Sequence, residues 1–302
     1  MTRTAPTLLA VAHGTRDAEG IATTEALVAR VRALRPWLRV ERCFLDIASP
    51  SLPDALATLR GEVVLVPLLL GAGYHVRVDI PEALAAAPWL RARVAGALGP
   101  DPLLADALAE RLAEAGRRPG DGPVVLAAAG STDPAANADA AAMAALLRSR
   151  LGSSRLLDSR PEGSPPSGSR PRDAVEVVPA YLCAAGPTPA EAVASLRAAG
   201  HARVAVAEYL LSPGHFARLA ARTGAEAGAC LTSAPLGPHD ALARLVTLRY
   251  DQAVMGAGPD TAHATAHGTA AGRTGAHSGR MLTPGYWGAH GRPVSPLSVS
   301  ET

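Results

Sequence analysis

Three residues that can bind a divalent metal follow apolar runs in the N-terminal part of the chain. His13 follows TLLAVA, Asp46 follows LRVERCFL, and His75 comes after EVVLVPLLL and the short break GAGY. Two imidazoles and one carboxylate suit a borderline metal such as iron, cobalt, nickel or zinc. The same groups can also transfer protons near neutral pH. These residue types therefore predict a metal site or a catalytic site, without separating the two.

The apolar runs before these residues predict parallel strands that alternate with helices, in an α/β fold. We expect strands over 7–12, 38–47 and 62–70, and helices over 18–34, over 52–60 and from about residue 80. Such alternation is typical of a parallel sheet with right-handed crossovers. Ligands bind at the carboxyl ends of parallel strands, which lie about 4.8 Å apart. We therefore expect His13, Asp46 and His75 to converge.

The pattern of the first half recurs in the second half. LLAVAHGTRDAEG is echoed by VLAAAGSTDPAAN, LLGAGYH by YLLSPGH, and LGPDPLLADAL by LGPHDALARLV. The offset is 116 residues from Gly14 to Gly130 but 140 from His75 to His215. The difference matches 153–173, a polar segment rich in Pro, Gly and Ser and of disordered character. We predict two homologous α/β halves, the second with a surface insertion.

The repeat divides the chain into two halves and a tail. We expect an N-terminal half over 1–120 that carries the catalytic site, and a degenerate C-terminal half over 121–253. The segment 254–302 has no hydrophobic period, which is typical of a disordered tail. Its histidines could capture metal weakly or reflect only biased composition: His263, His267, His277 and His290.

Composition excludes several classes of protein. With 29 basic and 27 acidic residues, the net charge of +2 argues against a nucleic-acid partner, which needs a concentrated basic face. The cysteines at 43, 183 and 230 form no CxxC pair, which favours a reducing compartment. The first apolar run is too short for a signal peptide or a membrane span. We expect a soluble cytoplasmic protein with no membrane partner.

Three other functional motifs find little support. GAGYHV lacks the third glycine of a dinucleotide-binding loop and follows the third strand rather than the first. AHGTRD is similar to the histidine phosphatases, but Ala12 stands where their arginine precedes His-Gly, which disfavours phosphotransfer. No GxSxG or HExxH sequence occurs, so no motif supports a serine hydrolase or a zinc protease.

A family resemblance rests on the segments that hold the candidate ligands. LLAVAHGTRD, CFLDIASPSL and VPLLLGAGYHVRVDIP resemble the sirohydrochlorin chelatases, the class II cobalt and iron chelatases of cobalamin and siroheme synthesis. The resemblance is strong over 7–110 and weaker to about 250. It implies a lyase-class chelatase with two α/β lobes, a tetrapyrrole in the cleft between them, and metal bound by His13 and His75. The family commonly has Glu where this chain has Asp46.

The chemistry of metal insertion assigns further roles. The metal must lose water, the tetrapyrrole must lose two pyrrole protons, and the ring must bend. His13 and His75 would hold the metal, and either of them or Asp46 would accept a proton. Because sirohydrochlorin carries many carboxylates, the cleft needs positive partners. Arg16 and Arg77 are candidates, although each fits a solvated surface charge equally well.

The second half is expected to bind substrate rather than metal. Ala129 stands where the first half has His13, so one imidazole at His215 offers too few ligands for a metal. We expect His215 to contact the substrate or to cap its turn. Backbone N–H groups after Gly14 and around Gly130 and Ser131 could bind substrate carboxylates at helix N-termini.

The expected partners are a tetrapyrrole and a divalent metal, Fe²⁺ or Co²⁺, which is a substrate rather than a bound cofactor. Two fused halves can take the place of a homodimer of single halves, so we expect a monomer. The main alternative is a non-catalytic tetrapyrrole or metal carrier that uses the same cleft. The ligand types do not separate iron from cobalt.

Overall fold

The computed structural model describes residues 5–158 and 175–256, and within them two similar halves follow each other. The first half contains β1 (Thr7–Ala12), α1 (Ala18–Leu34), β2 (Val40–Phe44), α2 (Leu52–Thr58), β3 (Gly61–Pro67), a π-helical turn (His75–Asp79), α3 (Ile80–Ala85), β4 (Leu90–Val94) and α4 (Pro102–Glu114). The second half contains β5 (Val124–Ala128), α5 (Pro134–Asp158), β6 (Val177–Tyr181), α6 (Pro189–Ala198), β7 (Ala205–Tyr209), α7 (His215–Glu226), β8 (Leu231–Thr232) and α8 (Asp240–Met255).

Each half has one parallel four-stranded sheet, with the order β2-β1-β3-β4 in the first and β6-β5-β7-β8 in the second. The central strand β1 is apolar and buried from Leu8 to Ala12 because both of its faces are covered, as is usual in parallel sheets. Leu8 and Ala10 face the inner core cluster, whereas Leu9 and Val11 face the outer one. The predicted α/β fold with two lobes is confirmed.

The last helix of each half packs beneath the sheet of the other half. Helix α4 packs against α5 and β7, and helix α8 packs against α1 and β3. The guanidinium of Arg249 on α8 donates to the carbonyls of Ala97 and Leu98, at 2.8 and 3.0 Å. One inner core cluster therefore contains residues of both halves.

The boundaries differ from the predicted ones mainly at strand ends. The strands predicted over 38–47 and 62–70 end at Phe44 and Pro67, because the chain turns there into loops at the sheet edge. Helix α5 continues to Asp158, into the segment predicted as a disordered insertion. The rest of that insertion, and the predicted tail beyond Gly256, lie outside the described residues. Within the described ranges, no helix is long and apolar enough to cross a lipid bilayer.

The loops after β1 and β5 repeat each other in detail. Gly14 and Gly130 both have positive φ angles, +106° and +88°. A Cβ atom there would come within 1.8 Å of the Asp46 carbonyl oxygen in the first half, and 2.0 Å of the Cys183 carbonyl oxygen in the second. Glycine is needed at both positions for this close approach and this conformation. Asp46 and Cys183 therefore occupy equivalent positions.

The loops after β3 and β7 also have matching hydrogen bonds. The N–H of Arg77 donates to the carbonyl of Gly73 at 3.3 Å, and the N–H of Arg218 donates to the carbonyl of Gly214 at 3.1 Å. Both pairs are separated by the same offset of 141 residues. This offset fixes the correspondence between the two loops.

The sequence echo between His75 and His215 is therefore one residue out of register. The hydrogen bonds make Phe216 the equivalent of His75, and they make His215 the equivalent of Tyr74. The echo matched residue types, whereas the chain enters helix α7 directly at His215 but forms a π-helical turn at His75.

Candidate metal site

His13, Asp46 and His75 meet at the carboxyl edge of the first sheet, after β1, β2 and β3. Their ligand atoms all lie within 4.8 Å of one another. The Nε2 atoms of His13 and His75 are 3.2 Å apart, and the two rings are nearly perpendicular, at 81°. Two nitrogens and one carboxylate oxygen at this spacing can bind one divalent ion.

The backbone links the first two of these residues directly. The N–H of Asp46 donates to the carbonyl of His13 at 2.9 Å, across the turn that Gly14 permits. The next residue, Ile47, has a φ angle of +66°, which is rare for a β-branched side chain. The positions of both side chains are thus set by main-chain geometry at the strand ends.

Asp79 orients His75. The Nδ1 atom of His75 lies 2.5 Å from an oxygen of the Asp79 carboxylate, four residues later in the π-helical turn. When Nδ1–H donates to the carboxylate, the lone pair of Nε2 faces His13 and a metal between them. The contact of Asp79 with His75 was not predicted from the sequence, although the His–Asp spacing of four within HVRVD was visible.

The environment of His13 favours the neutral, metal-binding form of its ring. Burial lowers the pKa of His13 first, and the charge of His75 lowers it further, whereas the charge of Asp46 raises it. A neutral imidazole is the form that binds metal.

A cavity of about 600 Å³ lies beside these residues, between the two halves. On the first-half side, His13, His75 and Tyr74 line it. The second half contributes aromatic, small and neutral polar side chains, listed here: Ala129, Ser131, Asn137, Tyr181, Cys183, Tyr209 and Phe216. Another cavity, of about 430 Å³, lies beside Trp37 and contains none of the candidate ligands. The two histidines thus lie on one wall of the cleft between the halves, and Asp46 lies beside them, outside the cavity lining.

The second half lacks the candidate metal ligands at the equivalent positions. At the positions equivalent to His13, Asp46 and His75 stand Ala129, Cys183 and Phe216, as the matched loops show. Among the described residues, no second cluster of three or more His, Cys, Asp or Glu side chains could hold a metal.

The other predicted binding residues are scattered around this cleft. Gly14 and Ser131 line the cavity, but the N–H of Ser131 already donates to the Asn137 side chain at 3.0 Å. Arg16 is exposed and outside the cavity lining. His215 is also exposed and outside the lining, where Phe216 takes its place. The roles of these residues in substrate binding stay predictions.

Arg77 does not stand free at the cleft. Its guanidinium forms an ion pair with Asp133, which belongs to the other half. Both side chains are partly exposed, at 50% and 27%. A substrate carboxylate would therefore have to displace or join Asp133 to bind this arginine.

Two parallel α/β lobes with a two-histidine, one-carboxylate cluster in the cleft between them define a class II chelatase-like protein. The CbiX family model matches residues 7–115 and again residues 123–253, one match for each half. The chain belongs to the CbiX family.

Curated relatives and solved structures agree with this membership. The sirohydrochlorin ferrochelatase of Priestia megaterium is 27% identical over 253 residues, which cover 80% of this chain and 87% of the relative. A sirohydrochlorin cobaltochelatase of Sulfurisphaera tokodaii is 30% identical over 112 residues, 35% of this chain and 91% of the relative. That relative thus corresponds almost entirely to about one third of this chain.

The fold matches that of SirB from Bacillus subtilis, solved with Fe³⁺. The TM-score is 0.65 at 22% identity, with 82% of this chain and 95% of SirB covered. The structure of CbiX from denitrifying bacteria gives a TM-score of 0.56 at 22% identity, with 80% and 98% covered. These likenesses establish the fold.

Proposed function

We propose that this protein is a sirohydrochlorin chelatase, an enzyme that inserts Fe²⁺ or Co²⁺ into sirohydrochlorin for siroheme or cobalamin synthesis. The observation that carries the proposal is the convergence of His13, Asp46 and His75, with both histidines on one wall of the cleft. The CbiX family membership and the names of the curated relatives support the choice of reaction.

The metal is held first by the two imidazoles. Burial keeps His13 neutral by lowering its pKa, and Asp79 fixes the ring of His75 with Nε2 towards His13. Imidazole is a neutral ligand that suits borderline metals, so the ion can exchange the protein nitrogens for the pyrrole nitrogens. The metal is the substrate that the site delivers.

Proton removal falls to the same residues. As the metal moves to the ring nitrogens, each imidazole regains a free lone pair at Nε2, close to the pyrrole N–H groups. The carboxylate of Asp46 lies in the same cluster and can accept a second proton. Asp46 thus acts as an additional metal ligand or as a base.

The second half supplies the wall against which the macrocycle lies. Phe216 and Tyr181 line the cavity and offer flat apolar surfaces to the ring. Arg16 is exposed near the His13 turn and can pair with an acetate or propionate group. Arg77 can exchange Asp133 for a substrate carboxylate at small cost, because exposed ion pairs are weak.

We also propose that the protein is monomeric and cytoplasmic. The chain supplies both walls of its cleft, so a monomer suffices for activity. All three cysteines are free thiols, which suits the reducing cytoplasm.

Turnover tests the proposed function against the carrier alternative. Sirohydrochlorin and Co²⁺ or Fe²⁺ are mixed anaerobically with protein at about one hundredth of the substrate concentration, and the visible spectrum is followed. An enzyme converts many equivalents faster than a protein-free mixture does. A carrier stops at about one equivalent per chain, and that result would overturn the proposal. The protein-free mixture reports uncatalysed insertion, and a sample with excess chelator reports spectral changes that do not depend on the metal.

A further inference from the structure

The loop that leads into the second metal-binding histidine is held from the other half of the protein. We call residues 70–77 the metal-site loop. The hydroxyl of Tyr209, at the end of β7, donates to the carbonyl of Leu70 at 2.8 Å. The carboxylate of Asp139, on α5, accepts a hydrogen bond from the N–H of Ala72 at 3.1 Å. Two elements of the second half thus bind the start of this loop.

A third contact holds the far end of the metal-site loop. Arg77 pairs with Asp133, whose carboxylate also accepts the N–H of Ala135 at 2.9 Å at the start of α5. This ion pair is partly exposed and therefore weak by itself. Together with the two hydrogen bonds, it leaves the loop anchored on both sides of His75.

The bond from Tyr209 is the most protected of the three. Only 4% of Tyr209 is exposed. Burial raises the pKa of its hydroxyl strongly, and the carboxylates of Asp139 and Asp101 raise it further. The hydroxyl therefore stays protonated and is a permanent donor to the Leu70 carbonyl.

Among the described residues, the first half makes no equivalent hydrogen bonds to the loop that carries Phe216. By the offsets of the matched loops, Leu68 occupies the position of Tyr209, and it has no hydroxyl. Thr23 occupies the position of Asp139, and its hydroxyl donates to the carbonyl of Glu19 within its own helix. Of the three contacts, the equivalent loop keeps only an ion pair, between Arg218 and Asp17 at 2.7 Å.

We propose that the C-terminal half, whose described residues hold no metal-ligand cluster of their own, positions His75 through Tyr209 and Asp139. The two are positioning residues, because they act on the backbone of the metal-site loop and not on the metal. The proposal rests on the proposed function and gives the degenerate half a role besides that of a wall. The position of His75 then depends on contacts across the cleft.

Metal affinity without the tetrapyrrole tests this proposal. The full-length protein is titrated with Co²⁺ alone, and the visible absorption of the bound ion is followed. Tyr209→Phe and Asp139→Ala should each raise the dissociation constant by about tenfold, the usual effect of losing a group that orients a metal ligand. Asp139→Asn should keep most of the affinity, because its amide oxygen still accepts from Ala72. Equal affinity in wild type, Tyr209→Phe and Asp139→Ala would overturn the proposal.

Arg218→Gln is the matched control. It removes the equivalent ion pair across the cleft, but from the loop that carries Phe216, and it should leave the Co²⁺ affinity unchanged. A loss as large as in Asp139→Ala would show a general effect of loosening the halves and would contradict the proposal. Thermal unfolding curves show which variants are less stable than the wild type, and those are titrated at a lower temperature. If Tyr209→Phe does not fold, the comparison of Asp139→Ala with Asp139→Asn decides the test alone.

Steady-state rates separate this proposal from the proposed function. The apparent KM for metal should rise in Tyr209→Phe and Asp139→Ala while the KM for sirohydrochlorin changes little. If the wild-type protein binds Co²⁺ but shows no turnover, the proposed function fails, and the positioning role holds provided that Tyr209→Phe and Asp139→Ala still bind Co²⁺ more weakly than the wild type. If turnover is normal but the variants bind metal like the wild type, the positioning role fails alone.

Discussion

Two imidazole nitrogens 3.2 Å apart can share one proton or one metal ion, but not two protons. Double protonation would place two positive charges in contact, and the partial desolvation of His13 by the surrounding protein adds a further cost, although its side chain opens onto the cleft. The pair is therefore arranged to be neutral when it meets a metal. Asp46 lies beside it, where its carboxylate would balance the charge of a bound ion.

The first prediction concerns the protonation of His13 in the metal-free protein. Its pKa should lie below the ordinary value of 6.5, because burial and His75 both disfavour the charged ring. In the His75→Ala variant the pKa should rise, since the variant loses one of the two causes that lower it. Titration of the imidazole signals by NMR measures both values. An unchanged or higher pKa in the wild-type protein would contradict the assignment.

Removal of either histidine should abolish efficient metal insertion. We expect His13→Ala and His75→Ala each to lower the rate by more than tenfold, with unchanged circular dichroism, because both side chains lie at the protein surface of the cleft. Asp46→Asn should lower the rate less if Asp46 only accepts protons or orients the site. A complete loss in Asp46→Asn would instead make it a metal ligand. Normal rates in both histidine variants would refute the site.

At the level of elements, regular patterns were predictable and local geometry was not. The strand over Thr7–Ala12 and the helix over Ala18–Leu34 have the predicted bounds, because an unbroken apolar run and a helical period identify them. The π-helical turn at His75 has no such pattern, so the contact with Asp79 was missed. The equivalence with Phe216 was missed because it depends on hydrogen bonds rather than residue types.

A buried carboxyl on β7 should make stability depend on pH. Glu208 is 2% exposed, and one of its oxygens has no hydrogen-bond partner among the described residues. Burial raises its pKa from 4.5 to about 8. Between these values the folded state binds one proton more than the unfolded state, so the free energy of unfolding falls as pH rises, by at most about 1.4 kcal/mol per pH unit.

The Glu208→Gln variant should lack this contribution. Urea unfolding at several pH values from 5 to 8 should show a steeper loss of stability in the wild-type protein than in the variant. Parallel curves for the two proteins would mean that Glu208 is ionised in the fold and has a partner. Because alternate residues of a strand point to opposite faces, the Glu208 side chain points away from the face of Tyr209, so the variant should retain its Co²⁺ affinity.

At the scale of the whole molecule, the exchange of α4 and α8 joins the two halves into one inner core. The sequence repeat predicted two lobes. It did not predict which sheet each final helix covers, because an amphipathic pattern specifies a buried face but not its partner. Helix α8 of the second half thereby completes the core of the half that carries the candidate metal ligands.

The central claim is that metal is inserted at one site, carried by the N-terminal half. The most direct test compares the initial rates of Co²⁺ insertion by His75→Ala and His215→Ala with substoichiometric protein. His75 belongs to the ligand cluster, whereas His215 is exposed and lies outside the cavity lining. We predict that His75→Ala loses more than tenfold in rate, while His215→Ala keeps most of its maximal rate and loses at most some substrate affinity. Loss of turnover in His215→Ala as complete as in His75→Ala would contradict the one-site account.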